Sequence, residues 1–290
     1  MFRLFKNWIN TLRFNAENQS NSPKKPIPPD QWALNKAVKK HQKHPVSAET
    51  YHQLETHYTP ENLTRFLPPT TTWAGLESLQ TLEWLSVFMQ HPAFPSPPKT
   101  TNPLRWLDVG SKNFAYAPAL AVFLQHWINL ETPWHLTGIE LDAGRLDAQG
   151  ISRTAYANGI VNWLPNTTYR SGDILNETQQ YEGISLFLPF VFEDPLVSWG
   201  LPTQHFKPLA ILTQCVSLLT QGGVLMIINL TPEEAAQQEQ LFLQLPDALQ
   251  QQLTWVKLEN PLPNSFINWQ YERIAWLCTK HNPLHQPPSA

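Results

Sequence analysis

The chain has 290 residues, 42% of them hydrophobic and 15% charged, with a formal net charge of −3. That is apolar material enough for one large domain, or one domain with an extension, and too acidic a balance for broad attraction to nucleic acid. Two cysteines in apolar runs, Cys215 and Cys278, read as buried reduced thiols; no histidine or carboxylate stands near them at zinc-ligand spacing. No run approaches the ~20 apolar residues of a membrane span. Arg3, Lys6 and Arg13 interrupt any signal-peptide core, so the expected location is the cytoplasm.

In chain order, Phe2, Phe5, Trp8, Ile9 and Leu12 fall on one helical face. Such a stripe ordinarily docks on the helix's own domain. The other reading is a basic amphipathic helix over residues 1–14 that contacts a membrane surface or a protein partner. Asn15 to Asp30 is polar and proline-rich, a linker. Helices are predicted over Ala33–His41, Ser47–His57 and Leu63–Leu67, the last stopped by Pro68 and Pro69. The strongest helical pattern is Gly75–Gln90, where Leu76, Leu79, Leu82, Leu85 and Phe88 recur at helical intervals; the prolines of 91–102 then make a connector. Residues 1–102 are therefore a helical N-terminal extension, and 103–290 the main domain.

After Pro103 short β-like runs alternate with helical ones. Strands are predicted at 104–109, 134–141, 167–173, 184–190 and 223–230, with helices at 117–129, 143–158 and 206–219 between them. This alternation predicts a parallel sheet covered by helices on both faces. Two last strands, 252–258 and 271–279, follow with no helix between them and predict a terminal antiparallel hairpin. The fold class is thus α/β: a Rossmann-like, mostly parallel seven-stranded sheet ending in a hairpin, preceded by the helical extension.

In an open parallel sheet, ligands bind beyond the carboxyl ends of the strands. Three features stand there: Asp108-Val109-Gly110-Ser111 at the end of the first strand, Glu140 at the end of the second and Gly172-Asp173 after the third; a fourth, Leu219–Leu225 with Gly222-Gly223, is a tight turn before the fifth. A glycine lets backbone approach a ligand, and an acid after the second strand can accept both hydroxyls of a ribose. Singly, each also fits a capped turn or a solvated strand end.

Together, in this order, they resemble the class I S-adenosylmethionine-dependent methyltransferases over about 175 residues. Asp108-Val109-Gly110 looks like that family's first motif, Glu140 like its ribose-binding acid and Asp173 like the acid that contacts adenine. Leu219–Leu225 is similar to its Leu-x-Pro-Gly-Gly-x-Leu turn, with Gln221 in place of the proline. The resemblance implies S-adenosylmethionine as cofactor, bound by Asp108, Gly110, Lys112, Glu140 and Asp173. The family's Gly-x-Gly-x-Gly reads Gly110-Ser-Lys112-Asn-Phe114 here, so Lys112 and Phe114 stand where backbone passes the methionine part. Lys112 either pairs with the methionine carboxylate or obstructs the pocket.

After the fourth strand, Leu188-Pro189-Phe190 lacks the polar residue that would hold an amide or exocyclic amine. Glu193 and Asp194 are the candidate catalytic acids for orienting or deprotonating an acceptor, with His205 third. The function expected is methyl transfer to a small-molecule or unidentified acceptor, with the helical extension covering the pocket through Trp73, Trp84 and Phe88 or burying them as core. Its alternative is a non-catalytic Rossmann-like scaffold with a degenerate cofactor loop. A nicotinamide-linked enzyme is disfavoured by the missing Gly-x-Gly-x-x-Gly, and nucleic-acid modification by the acidic balance.

Overall fold

The computed structural model describes residues 2–19, 25–32, 48–98, 102–128, 132–267 and 271–281. Seven strands form a single sheet: β1 (Leu104–Val109), β2 (Trp134–Glu140), β3 (Thr167–Ser171), β4 (Tyr181–Phe187), β5 (Leu219–Asn229), β6 (Leu253–Lys257) and β7 (Ile274–Lys280). Their spatial order is β3-β2-β1-β4-β5-β7-β6. The first five run parallel, and β7 lies antiparallel between β5 and β6. Strand order reverses between β1 and β4, which opens a crevice at their carboxyl ends.

The helices are α1 (Phe2–Gln19), α2 (Ala48–Tyr58), α3 (Pro60–Phe66), α4 (Trp73–Gln90), α5 (Ala117–Trp127), α6 (Arg153–Trp163), α7 (Glu193–Ser198), α8 (Pro208–Leu218), α9 (Pro232–Leu243) and α10 (Asp247–Gln250). The predicted helix at 33–41 lies outside the described residues. The linker expected from Asn15 starts later, because α1 continues to Gln19. The helix expected at 143–158 forms only in its second half. Residues 143–152 are turns closed by a bridge from Leu146 to Ser152, and the Ser152 hydroxyl then accepts from Ala155 N–H as the N-cap of α6. The paired-glycine turn at 219–225 is drawn into β5, whose register against β4 shifts between Tyr181 and Gly183.

The strands bury both faces, and each face has its own core. One cluster joins Trp106, Leu136, Met226 and Leu277 of the sheet to Leu120 and Phe123 of α5 and to Leu76, Leu79, Leu85 and Phe88 of α4. Tyr58, Leu63 and Phe66 of α2 and α3 enter the same cluster, so the N-terminal helices share a core with the sheet. The opposite cluster joins Leu107, Ile184, Ile227 and Trp276 to Cys215 and Val216 of α8 and Phe242 of α9. At about 1.5–3 kcal/mol per buried large side chain, these contacts are the main force ordering the extension.

α1 docks differently from the expectation. Asn10 donates to the carbonyls of Val197 (3.0 Å) and Leu201 (3.2 Å), Arg13 pairs with the buried Asp142 (2.9 Å), and Asn18 bridges Asp142 and Gly144 N–H. The helix is therefore held by its polar face and by Phe14. Its apolar stripe points outward: Phe5 is 57%, Trp8 57%, Ile9 44% and Leu12 51% exposed. Polar groups win this face because Asp142 and the ends of α7 offer buried hydrogen-bond partners that would otherwise go unpaired. Among the described residues no helix is long and apolar enough to cross a membrane.

Candidate functional site

The sheet register sets up the site. Asp108 lies level with Gly138 on β2 and Ser185 on β4. Its carboxylate accepts from Ser185 Oγ (2.6 Å) and Tyr116 Oη (2.9 Å), and Trp106 Nε1 in turn donates to Ser185 Oγ (3.2 Å). The group is fully buried, and burial outweighs these bonds, raising its pKa to about 7.

The chain then turns through Gly110, Lys112 and Phe114, all at positive φ (+74°, +52° and +62°). The loop thus keeps a glycine-like path although two of its residues carry side chains, at about 1 kcal/mol or more of strain each. Phe114 is accommodated by a second glycine: a Cβ on Gly138 would lie 2.8 Å from the Phe114 ring and from Ser111 Oγ. Loop backbone is pinned on both sides, with Lys112 N–H donating to Glu140 Oε2 (2.7 Å) and Tyr169 Oη donating to Lys112 O (2.7 Å). Lys112 Nζ lies over the Trp199 ring, 5.1 Å from its centroid, and burial lowers the pKa of the ammonium.

Glu140 is held as firmly. Its Oε1 accepts from Asp142 N–H (2.8 Å) and Arg153 Nη1 (2.9 Å), and its Oε2 from Lys112. Three of about four carboxylate acceptor sites are in use, leaving one for a ligand hydroxyl. Asp173 Oδ1 caps Leu175 N–H (3.0 Å), which leaves its other oxygen for a donor.

A cavity of about 750 Å³ lies over the carboxyl ends of the strands. Gly110, Lys112, Ile139, Glu140, Gly172, Asp173 and Trp199 form one part of its wall, where an added Cβ on Gly110 would meet nothing within 4 Å. Glu77, Trp84, Tyr116, Leu188, Gln238 and Arg273 form another. Leu188 has φ +58° directly before Pro189, a further strained residue at the cavity edge. Gln238 is buried with no partner for Nε2 among the described residues, and burial lowers the Arg273 pKa to about 10.

Of the residues expected from sequence, Gly110, Lys112, Glu140 and Asp173 meet on this wall. Asp108 stands behind it, reaching the cavity only through Tyr116. Glu193 and Asp194 open α7 outside the lining and pair with Arg3 of α1. His205 lines the cavity beside Phe14. Trp84 is both core and lining, Phe88 is core, and Trp73 packs against the core.

Glu77, Arg153, Gln238 and Arg273 were missed. Glu77, Gln80 and Glu83 recur every third residue along α4 and look like a solvated face, yet all three are drawn inward. Gln80 Oε1 accepts from the N–H groups of Phe266 and Ile267, and Glu83 accepts from Ser265 N–H (3.0 Å). The signal was that Leu, Trp and Phe surround α4 on every side, which marks a helix buried all round.

No protein-family model and no curated protein matches the sequence. Solved structures do. They include the plantazolicin methyltransferase BpumL with SAH, 14% identical at a TM-score of 0.41, covering 83% of this chain and 92% of that one. The N-methyltransferase NodS from Bradyrhizobium japonicum with S-adenosyl-L-homocysteine is 14% identical at 0.41, covering 80% and 98%. A class I methyltransferase from Listeria monocytogenes is 12% identical at 0.46, covering 84% and 73%. The deciding observation lies in this sheet itself, where β7 sits antiparallel between β5 and β6 beside five parallel strands. The fold is a Rossmann-like, mostly parallel seven-stranded sheet that ends in an antiparallel pair. The parallel strands of this sheet end at the cavity just described.

Proposed function

We propose that the chain is a cytoplasmic S-adenosylmethionine-dependent methyltransferase that acts on a small-molecule acceptor by direct in-line transfer. One observation carries the reading: Gly110, Lys112, Glu140 and Asp173, the positions that match the family's cofactor motifs, converge on one cavity at the strand ends. The donors and acceptors there fit such a cofactor. Glu140 retains one acceptor site for a ribose hydroxyl, Asp173 a free oxygen for an adenine amino group, and Gly110 leaves its backbone open. When bound, S-adenosylmethionine supplies a methyl group already activated on a sulfonium, so the protein's task is positioning, with acceptor and methyl ~3 Å apart.

The remaining wall suits a small acceptor. Phe187, Leu188, Leu230, Leu241 and Ile267 exclude water, and Tyr116, Gln238 and Arg273 offer polar contacts. The role expected of Glu193 and Asp194 passes to Glu234, a residue of the cavity lining whose carboxyl accepts from Leu230 N–H (2.8 Å) and has its pKa raised by burial, as suits a proton acceptor. The scaffold alternative draws on Glu140, most of whose acceptor capacity is taken within the chain. Isothermal titration with S-adenosylmethionine and S-adenosylhomocysteine separates the two. Micromolar binding, ~8 kcal/mol, that Glu140→Ala weakens supports the enzyme; a folded protein that binds neither supports the scaffold. The outward stripe of α1 supports a surface contact by residues 1–14. Equal sedimentation with liposomes of full-length and truncated chains would remove the membrane version of it.

A further inference from the structure

Two opposite charges that face the cavity belong to separate parts of the chain. Glu77 comes from α4, in the N-terminal extension; Lys112 comes from the loop after β1. Each stands on a rigid base. The start of α4 is capped by Thr72, whose Oγ1 accepts from Gly75 N–H (3.1 Å), and Gln80 and Trp84 tie the helix to the carbonyl of Pro263. Lys112 has its N–H and its carbonyl bonded to Glu140 and Tyr169. Burial opposes ionisation of both groups, raising the Glu77 pKa and lowering that of Lys112, and each partly offsets this for the other without a hydrogen bond between them: Lys112 and the Trp73 indole N–H favour the Glu77 carboxylate, while Glu77 favours the ammonium. Holding two separated charges in a largely apolar enclosure is costly unless something polar completes them.

A group with an ammonium and a carboxylate on the same carbon would complete both. We propose that Glu77 and Lys112 form a receptor for an amino-acid zwitterion, Glu77 taking the α-ammonium and Lys112 the α-carboxylate at the methionine end of the cofactor. The inference rests on the cofactor reading above and deepens it, since it brings the N-terminal extension into the binding site. It also explains why a lysine, at positive φ, stands where a glycine would be unstrained: the ammonium compensates for the strain through a charge-assisted bond.

The test compares S-adenosylhomocysteine with 5′-methylthioadenosine, which has the same adenosine and thioether but no amino-acid group, by isothermal titration on the full chain. Wild type should bind the first at least about tenfold more tightly. Glu77→Gln and Lys112→Met should each weaken S-adenosylhomocysteine about tenfold or more and leave 5′-methylthioadenosine unchanged, which also reports that the variants are folded. An analogue of S-adenosylhomocysteine lacking the α-amino group should be indifferent to Glu77→Gln and sensitive to Lys112→Met. Equal loss for both ligands, or no loss for either, overturns the proposal. Should wild type bind both ligands equally, the cofactor reading stands and the zwitterion receptor falls; should it bind neither, both fall.

Discussion

Asp108 gives the sharpest energetic test of the site. Its carboxyl is fully buried and its pKa is raised from 3.8 to about 7 by burial. The folded chain therefore holds a proton there that the unfolded chain has released between about pH 4 and pH 7, and stability falls as pH rises through that interval. At about 1.4 kcal/mol per pH unit, the cost of ionising the group grows by about 3 kcal/mol between pH 5 and pH 8. Asp108→Asn keeps the shape, cannot ionise, and can still bond Ser185 Oγ and Tyr116 Oη, since both hydroxyls are able to accept as well as donate. The variant should be close to wild type near pH 4 and more stable by a few kcal/mol at pH 8. Urea unfolding of both proteins across this range measures the difference directly, and other titrating groups cancel in the comparison. A stability difference that stays flat with pH, or that shrinks as pH rises, would refute the assignment of a buried, proton-retaining Asp108.

Gly138→Ala should place a methyl 2.8 Å from the Phe114 ring and Ser111 Oγ, costing about 1–3 kcal/mol as overpacking and displacing the cofactor loop; calorimetric unfolding and S-adenosylhomocysteine titration would read the two effects. On α1, Asn10→Ala should cost about 1–2 kcal/mol because the carbonyls of Val197 and Leu201 lose their donor. Trp8→Ser on the outward stripe should change stability by no more than about 0.5 kcal/mol; the opposite ranking in denaturant midpoints would mean that the helix docks by its apolar face. Arg13→Leu should leave Asp142 buried with its strongest partner removed, a loss of about 3 kcal/mol detectable in the same melts.

Much of the main domain was legible in sequence, because parallel strands buried on both faces write themselves as short apolar runs. Leu104–Val109 and Trp134–Glu140 were read nearly to the residue, and the terminal antiparallel pair was visible as two strands with no helix between them. Three of the ligand-facing acids and loop residues followed from their place after strands: Gly110, Glu140 and Asp173. The boundary of α6 was not, since a capping serine and a closing bridge decide it against the local helical pattern.

What the sequence by itself determined is the periodicity, hence the order of strands and helices and the residues left at strand ends. Only the tertiary structure decided which side chains face the cavity. Asp108 and Glu140 lie near the ends of neighbouring strands, yet one stands behind Tyr116 and the other at the wall. Glu77 and Lys112 stand 35 positions apart in the chain and line the same cavity because α4 is buried against α5 and the sheet. α1 shows the same limit in reverse: its stripe satisfies the rule for a docked helix, but the buried carboxylate of Asp142 and the carbonyls of Val197 and Leu201 hold its polar face instead. Periodicity is a property of one segment, whereas the partners that outbid it arrive from elsewhere in the chain.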